Sequence, residues 1–318
     1  MDVVVTGGAG FIGGNLCRAL RRCADVGRVV AFDDLSTGRA DNLEGVDGVE
    51  LIVGSVLDPD ALGTAFEGAD AVVHLAALPS VPRSLEHPLA SHEANATGTV
   101  RVLEAARTGG RPYVVVASSS SVYGANPALP KVEDMAPRPV SPYAASKLAT
   151  EAYALAYGES FAMEVLAFRF FNVFGPLQAA DHAYAAVIPA FVAAALRGEP
   201  LTIHGDGGQT RDFTYVGSVA AVLLDAVRRR VTSAVPVNLA FGSRVSLLEL
   251  VAEIEAVLGH GVARRHTEPR PGDVRDSQAD QRRLLGLFPD VAPEPLRAGV
   301  EATVAWFRAD PARARAMV

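Results

Sequence analysis

The chain has 318 residues, 49% hydrophobic and 20% charged, with 29 Lys+Arg against 36 Asp+Glu and a net charge of −7. That length supports one large domain or two of ordinary size with a full core. The acidic balance argues against a nucleic-acid or anionic-membrane surface as partner, so an anionic ligand must be met by local arginines or helix N-termini. Cys17 and Cys23 are the only cysteines. Six apart in one predicted helix, they are separated by about 9 Å of rise, too far for a disulfide, and read as reduced core residues. The start MDVVVTGG carries no charged leader, and the longest apolar run, residues 183–196, contains Pro189 and is too short to span a bilayer. A cytoplasmic protein with no membrane partner is expected.

In chain order, residues 2–6, 28–32, 49–53, 70–75 and 112–118 are short β-branched runs that read as strands buried on both faces. Helical patterns over residues 11–23, 59–66 and 91–107 separate them. This alternation predicts a doubly wound α/β domain built on a parallel sheet. The first strand-to-helix turn is TGGAGFIGG, with Gly7, Gly10 and Gly13 spaced to let backbone amides approach a pyrophosphate at a helix N-terminus. Asp33 ends the second strand twenty residues beyond Gly13, placed to accept from both hydroxyls of an adenosine ribose and to repel a 2′-phosphate. The pattern predicts a dinucleotide site that favours NAD.

HLAA ends the fourth strand, with His74 read as a hydrogen-bonded structural histidine and the small residues after it as room for the cofactor. Asn95, in the helix that follows, either bonds backbone at the site or caps. SSSSVYG, residues 118–124, ends the fifth strand where doubly wound sheets place ligands; it is a source of a substrate-binding hydroxyl or a plain turn. SPYAASK, residues 141–147, sets Tyr143 and Lys147 on one helix face, one turn apart. An ammonium there favours the phenolate, drawing the tyrosine pKa down from about 10 and making it a general base. The chain has only two lysines, Lys131 and Lys147, so retaining one at this spacing is notable. This helix is expected to end near Gly158, followed by a sixth strand in MEVLAFRF.

From Asn172 the pattern becomes loop-rich. Helices are expected near residues 184–197, 218–229, 247–258 and 296–308, with short strands near 201–204, 211–215 and 235–239. The expected division is residues 1–171 for the NAD domain, with about 213–240 returning to it, and 172–318 for a smaller α+β substrate domain. No metal-ligand spacing occurs, since the seven histidines are scattered and form no Cys/His cluster.

With TGGAGFIGG, Asp33, HLAA, SSSSVYG and SPYAASK in this order, the chain resembles the extended short-chain dehydrogenase/reductase family. More narrowly, it resembles the nucleotide-sugar 4-epimerases of the UDP-glucose 4-epimerase type. RFFNVFGP (169–176), AYAAVIPAF (183–191), HGDGGQTRDFTYV (204–216) and RPGDVRDSQAD (270–280) extend the resemblance over essentially the whole chain. It implies a Rossmann fold, bound NAD, a UDP-sugar substrate and a homodimer formed through helices like those at 91–107 and 142–158. It makes Tyr143 the base, Lys147 its modulator and nicotinamide-ribose ligand, and Ser119 the partner of the sugar's 4-oxygen. NAD contacts implied are Gly7, Gly10, Phe11, Ile12, Gly13, Asp33, Ser36, Gly38, Ser55, Val56, Leu75, Ala76, Ala77 and Asn95. Asn172, Arg211 and Arg270 correspond to diphosphate ligands, Asp273 to a ribose neighbour, and Val187 and Leu201 to His204 to the uracil wall. Arg83 and Ser120 are further candidates near the sugar. Ser55 stands where the family usually has an aspartate that bonds adenine, which weakens that contact.

Related dehydratases carry an Asp-Glu pair after the position of Ser119, and decarboxylases a glutamate at the position of Ser121. This chain has Ser120 and Ser121 there, which favours 4-epimerisation over both and over a non-catalytic NAD-binding regulator, which would have lost the tyrosine or lysine. The expected substrates are UDP-glucose/galactose, then UDP-glucuronate, then the N-acetylated pair. Ser277, a small residue where some relatives have tyrosine, leaves room for a 2-acetamido group. The loop 177–182, with Gln178 and His182 but no arginine, is expected to face C6.

Overall fold

The computed structural model describes residues 1–180, 185–268 and 275–314. Its strands are β1 (Val3–Thr6), β2 (Val29–Asp33), β3 (Val49–Val53), β4 (Ala71–His74), β5 (Tyr113–Ser119), β6 (Val165–Phe170), β7 (Val173–Phe174), β8 (Leu201–His204), β9 (Thr210–Arg211), β10 (Thr214–Tyr215), β11 (Val237–Leu239), β12 (Val245–Ser246) and β13 (Arg264–Thr267). Its first helices are α1 (Phe11–Arg21), α2 (Pro59–Phe66), α3 (Val81–Glu86), α4 (Pro88–His92), α5 (Gly98–Thr108) and α6 (Pro142–Phe161). Then follow α7 (Val187–Leu196), α8 (Val216–Arg229), α9 (Leu247–Leu258), α10 (Arg282–Leu287) and α11 (Leu296–Ala309).

Seven parallel strands form the central sheet in the order β11-β6-β5-β4-β1-β2-β3. The winding direction reverses between β1 and β4, and doubly wound sheets bind ligands beyond the carboxyl ends of their strands at such a point. One face of the sheet packs α1 and α8 through Leu16, Leu20, Val219, Val222 and Leu223. The other face packs α2, α5 and α6 through Leu62, Phe66, Val102, Leu103 and Ala154.

β3 departs from the sequence reading. It is the edge strand and only half-buried, with Val53 63% exposed, because only β2 covers one side of it. The helix expected over 91–107 is three pieces, with a π turn at Glu93–Thr97 between α4 and α5. A π turn inserts one residue into the helical ladder and often marks a functional site; here it carries Asn95. The strand expected over 211–215 is two short ones, β9 and β10, which pair with β12 and β7 respectively.

Val216–Leu239 packs on the sheet, α8 against α1 and β11 as its edge strand beside β6. The chain returns a second time, unforeseen in the sequence: Leu284 and Phe288 of the α10 region enter the same core. The remainder of the second half has a separate core under α7, α9 and α11, built from Phe191, Ile203, Leu250, Ile254, Val304 and Phe307. Ser246 opens α9 with a reciprocal capping box to Glu249.

Candidate active site

The glycine turn is set by steric necessity. Gly7 has φ +71°, and a Cβ on it would lie 2.7 Å from the Ala76 backbone nitrogen; one on Gly13 would lie 2.1 Å from the Gly7 carbonyl oxygen. No side chain fits at either place, so the turn leaves open the N-terminus of α1. Asp33 closes β2 with its carboxylate accepting from the Ala9 and Leu35 amides at 3.0 and 2.9 Å. Burial pushes its pKa up, opposed by those two amide bonds.

These groups line a cavity of about 600 Å³ along the carboxyl edge of the sheet. Of the residues expected at the cofactor, Gly7, Gly10, Phe11, Ile12, Gly13, Asp33, Ser36, Ser55, Val56, Leu75, Ala76, Ala77, Tyr143 and Lys147 all line it. Two expected contacts do not. Gly38 sits behind Asp33, where a Cβ would come within 2.7 Å of its carboxylate, so it makes room for the acid instead of lining the cavity. Asn95 is spent on internal bonds: its Oδ1 accepts from the Leu78 amide at 2.8 Å, and its Nδ2 donates to the Leu78 carbonyl and to Ser146 Oγ. It braces a wall residue from behind. His74 is a structural histidine, buried between Thr6 and Thr99 hydroxyls, with burial driving its pKa down to about 3.

Ser141 caps α6 by accepting from the Ala144 amide at 3.1 Å, and Pro142 occupies the first helical position. The helix therefore starts immediately before Tyr143 and presents Tyr143 and Lys147 to the cavity. The Tyr143 hydroxyl and Ser119, at the end of β5, line the same cavity, with the serine hydroxyl near enough to favour the phenolate. Ser119 Oγ accepts from the Ser121 amide at 3.2 Å and the Ser121 hydroxyl at 3.0 Å. Ser120 lines neither this cavity nor the next; it opens the short turn after β5.

The expected fall in the Tyr143 pKa is not what the protein alone produces. Burial raises it and the nearby Ser119 hydroxyl only partly offsets that. Lys147 Nζ donates to the Ala117 carbonyl at 2.8 Å, and its own pKa is lowered to about 8 by burial. Desolvation dominates, opposed only by the Ser119 hydroxyl, and helical spacing cannot reveal it.

A second cavity of about 690 Å³ adjoins the first, and Asn172 and Val173 line both. Val187, His204 and Arg211 line it as expected. Leu201 does not: side chains alternate along β8, so Leu201 and Ile203 enter the core while Thr202 and His204 face the cavity. Gln209 and Arg265 also line it and were not foreseen from the sequence. Ser277 lies outside both linings, its amide donating to the Thr210 carbonyl at 3.1 Å. Arg83 is half-buried on α3 and lines neither cavity. Arg270, Asp273 and His182 lie outside the described residues. Among the described residues no group of three or more His, Cys, Asp or Glu side chains could hold a metal, and no helix is long and apolar enough to cross a membrane.

Asn172, which lines both cavities, is held by Asp212. Its carboxylate accepts from the Ala279 amide at 2.9 Å and from the Ser243 amide and hydroxyl at 3.1 and 2.9 Å, while its carbonyl accepts from Asn172 Nδ2. Burial pushes its pKa up to about 6.

Residues 3–240 match the model of the NAD dependent epimerase/dehydratase family. The chain belongs to that family. It is an NAD-dependent enzyme fold with the Gly7–Gly13 cradle, Asp33 and the Tyr143–Lys147 pair in one cavity, and the residues present fit the dinucleotide. The chain is similar to the UDP-glucose 4-epimerase of Mycolicibacterium smegmatis, 39% identical over 97% of this chain and 99% of that protein. Among solved structures it resembles the UDP-N-acetylglucosamine 4-epimerase of Methanobrevibacter ruminantium in complex with UDP-N-acetylmuramic acid. That match has a TM-score of 0.90, 36% identity, and covers 97% of this chain and 98% of that one. It also resembles the UDP-glucuronic acid 4-epimerase of Bacillus cereus in complex with UDP-glucuronic acid and NAD, with a TM-score of 0.86, 30% identity and 97% and 99% coverage. The three relatives agree on C4 and differ on the sugar.

Proposed function

We propose that the protein inverts C4 of a UDP-sugar through a transient 4-keto sugar, with UDP-glucose and UDP-galactose as the preferred pair. The observation that carries this reading is the convergence of Ser119, Tyr143 and Lys147 in the cofactor cavity, which shares Asn172 and Val173 with a second cavity. When bound, NAD supplies the acceptor and donor of the C4 hydrogen. Ser119 Oγ holds the sugar's 4-oxygen, and Tyr143, in its phenolate form, takes the 4-hydroxyl proton to become the phenol and later returns it. Lys147, with a pKa of about 8, is largely protonated at pH 7 and supplies positive charge beside the phenol. Asp33 receives the adenosine ribose hydroxyls, and Ser55 stands beside the adenine.

Arg211 and Asn172 receive the diphosphate in the second cavity, since planar guanidinium groups match phosphate oxygens in an otherwise acidic protein. Arg270 and Asp273 join them on the same reading. The described part of the loop after β7 offers Leu177 and Gln178 but no charged donor, whereas a C6 carboxylate calls for one. That supports a neutral sugar over UDP-glucuronate. Ser120 and Ser121 supply no acid or base for dehydration or decarboxylation, and Ser121 is committed to Ser119.

We further assign residues 1–171 with about 213–240 to the NAD domain, and 172–318 to the UDP-sugar domain. We also infer a homodimer formed through α5 and α6, supported by Tyr153 and Phe161, which are exposed on α6. Incubation of the purified protein with UDP-glucose, UDP-glucuronate and UDP-N-acetylglucosamine tests the reading. UDP-galactose is the expected main product, and absence of any C4 epimer from NAD-loaded protein overturns it.

A further inference from the structure

Beneath the catalytic edge lies a buried ion pair that the reaction does not use. Glu151 sits on α6 one turn after Lys147, and Arg169 sits on β6 in register with Ser118 of β5. The two side chains are 4% and 3% exposed and meet in a fork: Arg169 Nη2 reaches Glu151 Oε1 at 2.6 Å, and Nε reaches Oε2 at 3.0 Å. The third guanidinium nitrogen donates to the Glu133 carbonyl at 3.3 Å. A pair so buried adds little stability over an apolar pair of the same shape, so stability alone does not account for it.

Its other contacts lead to Ser119 from both sides. On one side, the Ser118 hydroxyl lies between Glu151 Oε2 at 2.8 Å and the Lys147 carbonyl at 3.1 Å, tying β5 to the turn of α6 that carries Lys147. On the other, the Arg169 guanidinium stacks 4.7 Å over the ring of Tyr123, which ends the turn containing Ser121. The Tyr123 hydroxyl donates to Asn238 Oδ1 at 2.6 Å, fastening that turn to β11. The pair is internally neutral, and burial is the cause of the lowered Lys147 pKa, so the influence on the site is geometric.

We propose that Glu151 and Arg169 are positioning residues of the active site, which fix Ser118, the Lys147 carbonyl and the Ser121 turn so that Ser119 keeps its place beside Tyr143. Glu151 and Arg169 line neither cavity, so loss of the pair loosens Ser119 against α6 only through Ser118, the Lys147 turn and the Ser121 turn.

The test uses NAD-loaded protein with two variants, Ser118→Ala and the double replacement Glu151→Met with Arg169→Met, which keeps apolar volume and leaves no buried lone charge. Three quantities are read: the melting temperature, kcat and KM for UDP-glucose, and the Tyr143 titration in protein carrying ¹³C-labelled tyrosine, assigned with Tyr143→Phe. For the double variant we expect near-native melting, KM within about twofold, kcat down about tenfold or more, and a Tyr143 titration moved upward. Native melting with an unchanged titration and unchanged kcat overturns the proposal. If the double variant does not fold, Ser118→Ala decides alone: a moved titration upholds the role, and an unmoved one removes it. The kcat readout rests on the epimerase reading, but the tyrosine titration needs no turnover. A wild-type protein inactive on every UDP-sugar therefore sinks that reading and leaves this one still decided by the titration.

Discussion

Replacing Lys147 by methionine should stabilise the protein while destroying its activity. The ammonium is 5% exposed, and burial lowers its pKa from 10.5 to about 8. That difference corresponds to about 3 kcal/mol of strain on the folded state at neutral pH, at about 1.4 kcal/mol per pKa unit. Methionine fills the same volume but cannot donate to the Ala117 carbonyl, which costs about 1 kcal/mol. The net gain is about 2 kcal/mol. For a chain of 318 residues, unfolding entropy near 0.7 kcal/mol/K converts this to about 3 °C in melting temperature. The pH dependence gives the sign. The folded pKa is depressed, so below about 8 both states hold the proton and the penalty is fully present. Between about 8 and 10.5 the unfolded chain binds a proton that the folded protein has released, and wild-type stability rises with pH. The advantage of the variant should therefore be largest at pH 7, vanish near about pH 9.5 and reverse by about 1 kcal/mol above about pH 10.5, where only the lost hydrogen bond remains. Thermal unfolding of both proteins, stripped of nucleotide, reads it directly. A variant no more stable than wild type at pH 7, or a gap constant from pH 7 to 10, refutes the reasoning.

Other consequences follow from the same contacts. Gly13→Ala puts a methyl group into the Gly7 carbonyl and should lose bound NAD, visible in the absorbance ratio of purified protein, together with about 1–3 kcal/mol of stability. Leu201→Ala should cost about 2–5 kcal/mol in denaturant titration, whereas Thr202→Ala, one residue along the same strand, should raise KM for the UDP-sugar and cost under about 1 kcal/mol. Asp212, with its pKa pushed up to about 6, takes a proton in the folded state before the unfolded chain does, so this group favours folding more as pH falls through 6. The same proton occupies one of the two carboxylate oxygens and so weakens the bonds from Ser243 or the bond from Ala279, and KM for the UDP-sugar should rise below about pH 6 without a matching loss of melting temperature. An Asp212→Asn variant should show a flat KM profile over that range.

The first half of the chain was legible because parallel strands covered on both faces read as unbroken apolar runs, and the glycine turn and SPYAASK sit at their ends. What the sequence left hidden depends on neighbours that no local pattern specifies. VELIV reads like its sister strands, but only the sheet order reveals it as an edge. The return of Leu284 and Phe288 to the first core comes from a six-residue helix with too little periodicity to assign. In the site, the segment Leu201 to His204 reads as a uracil wall throughout, although the alternation in LTIH leaves only Thr202 and His204 facing the cavity. Asn95 and Gly38 were placed at the cofactor but act one layer behind it. Glu151 and Arg169 read as ordinary charged residues of a helix and a strand, and only tertiary packing joins them.

The central claim is reversible oxidation at C4 with the hydrogen returned to the same sugar. The direct measurement is incubation of NAD-loaded protein with UDP-glucose deuterated at C4, followed by mass and NMR analysis of the product. UDP-galactose retaining deuterium at C4, made by wild type and not by Tyr143→Phe, is the predicted result. No epimer, loss of the label to solvent, or a largely active Tyr143→Phe enzyme would contradict it.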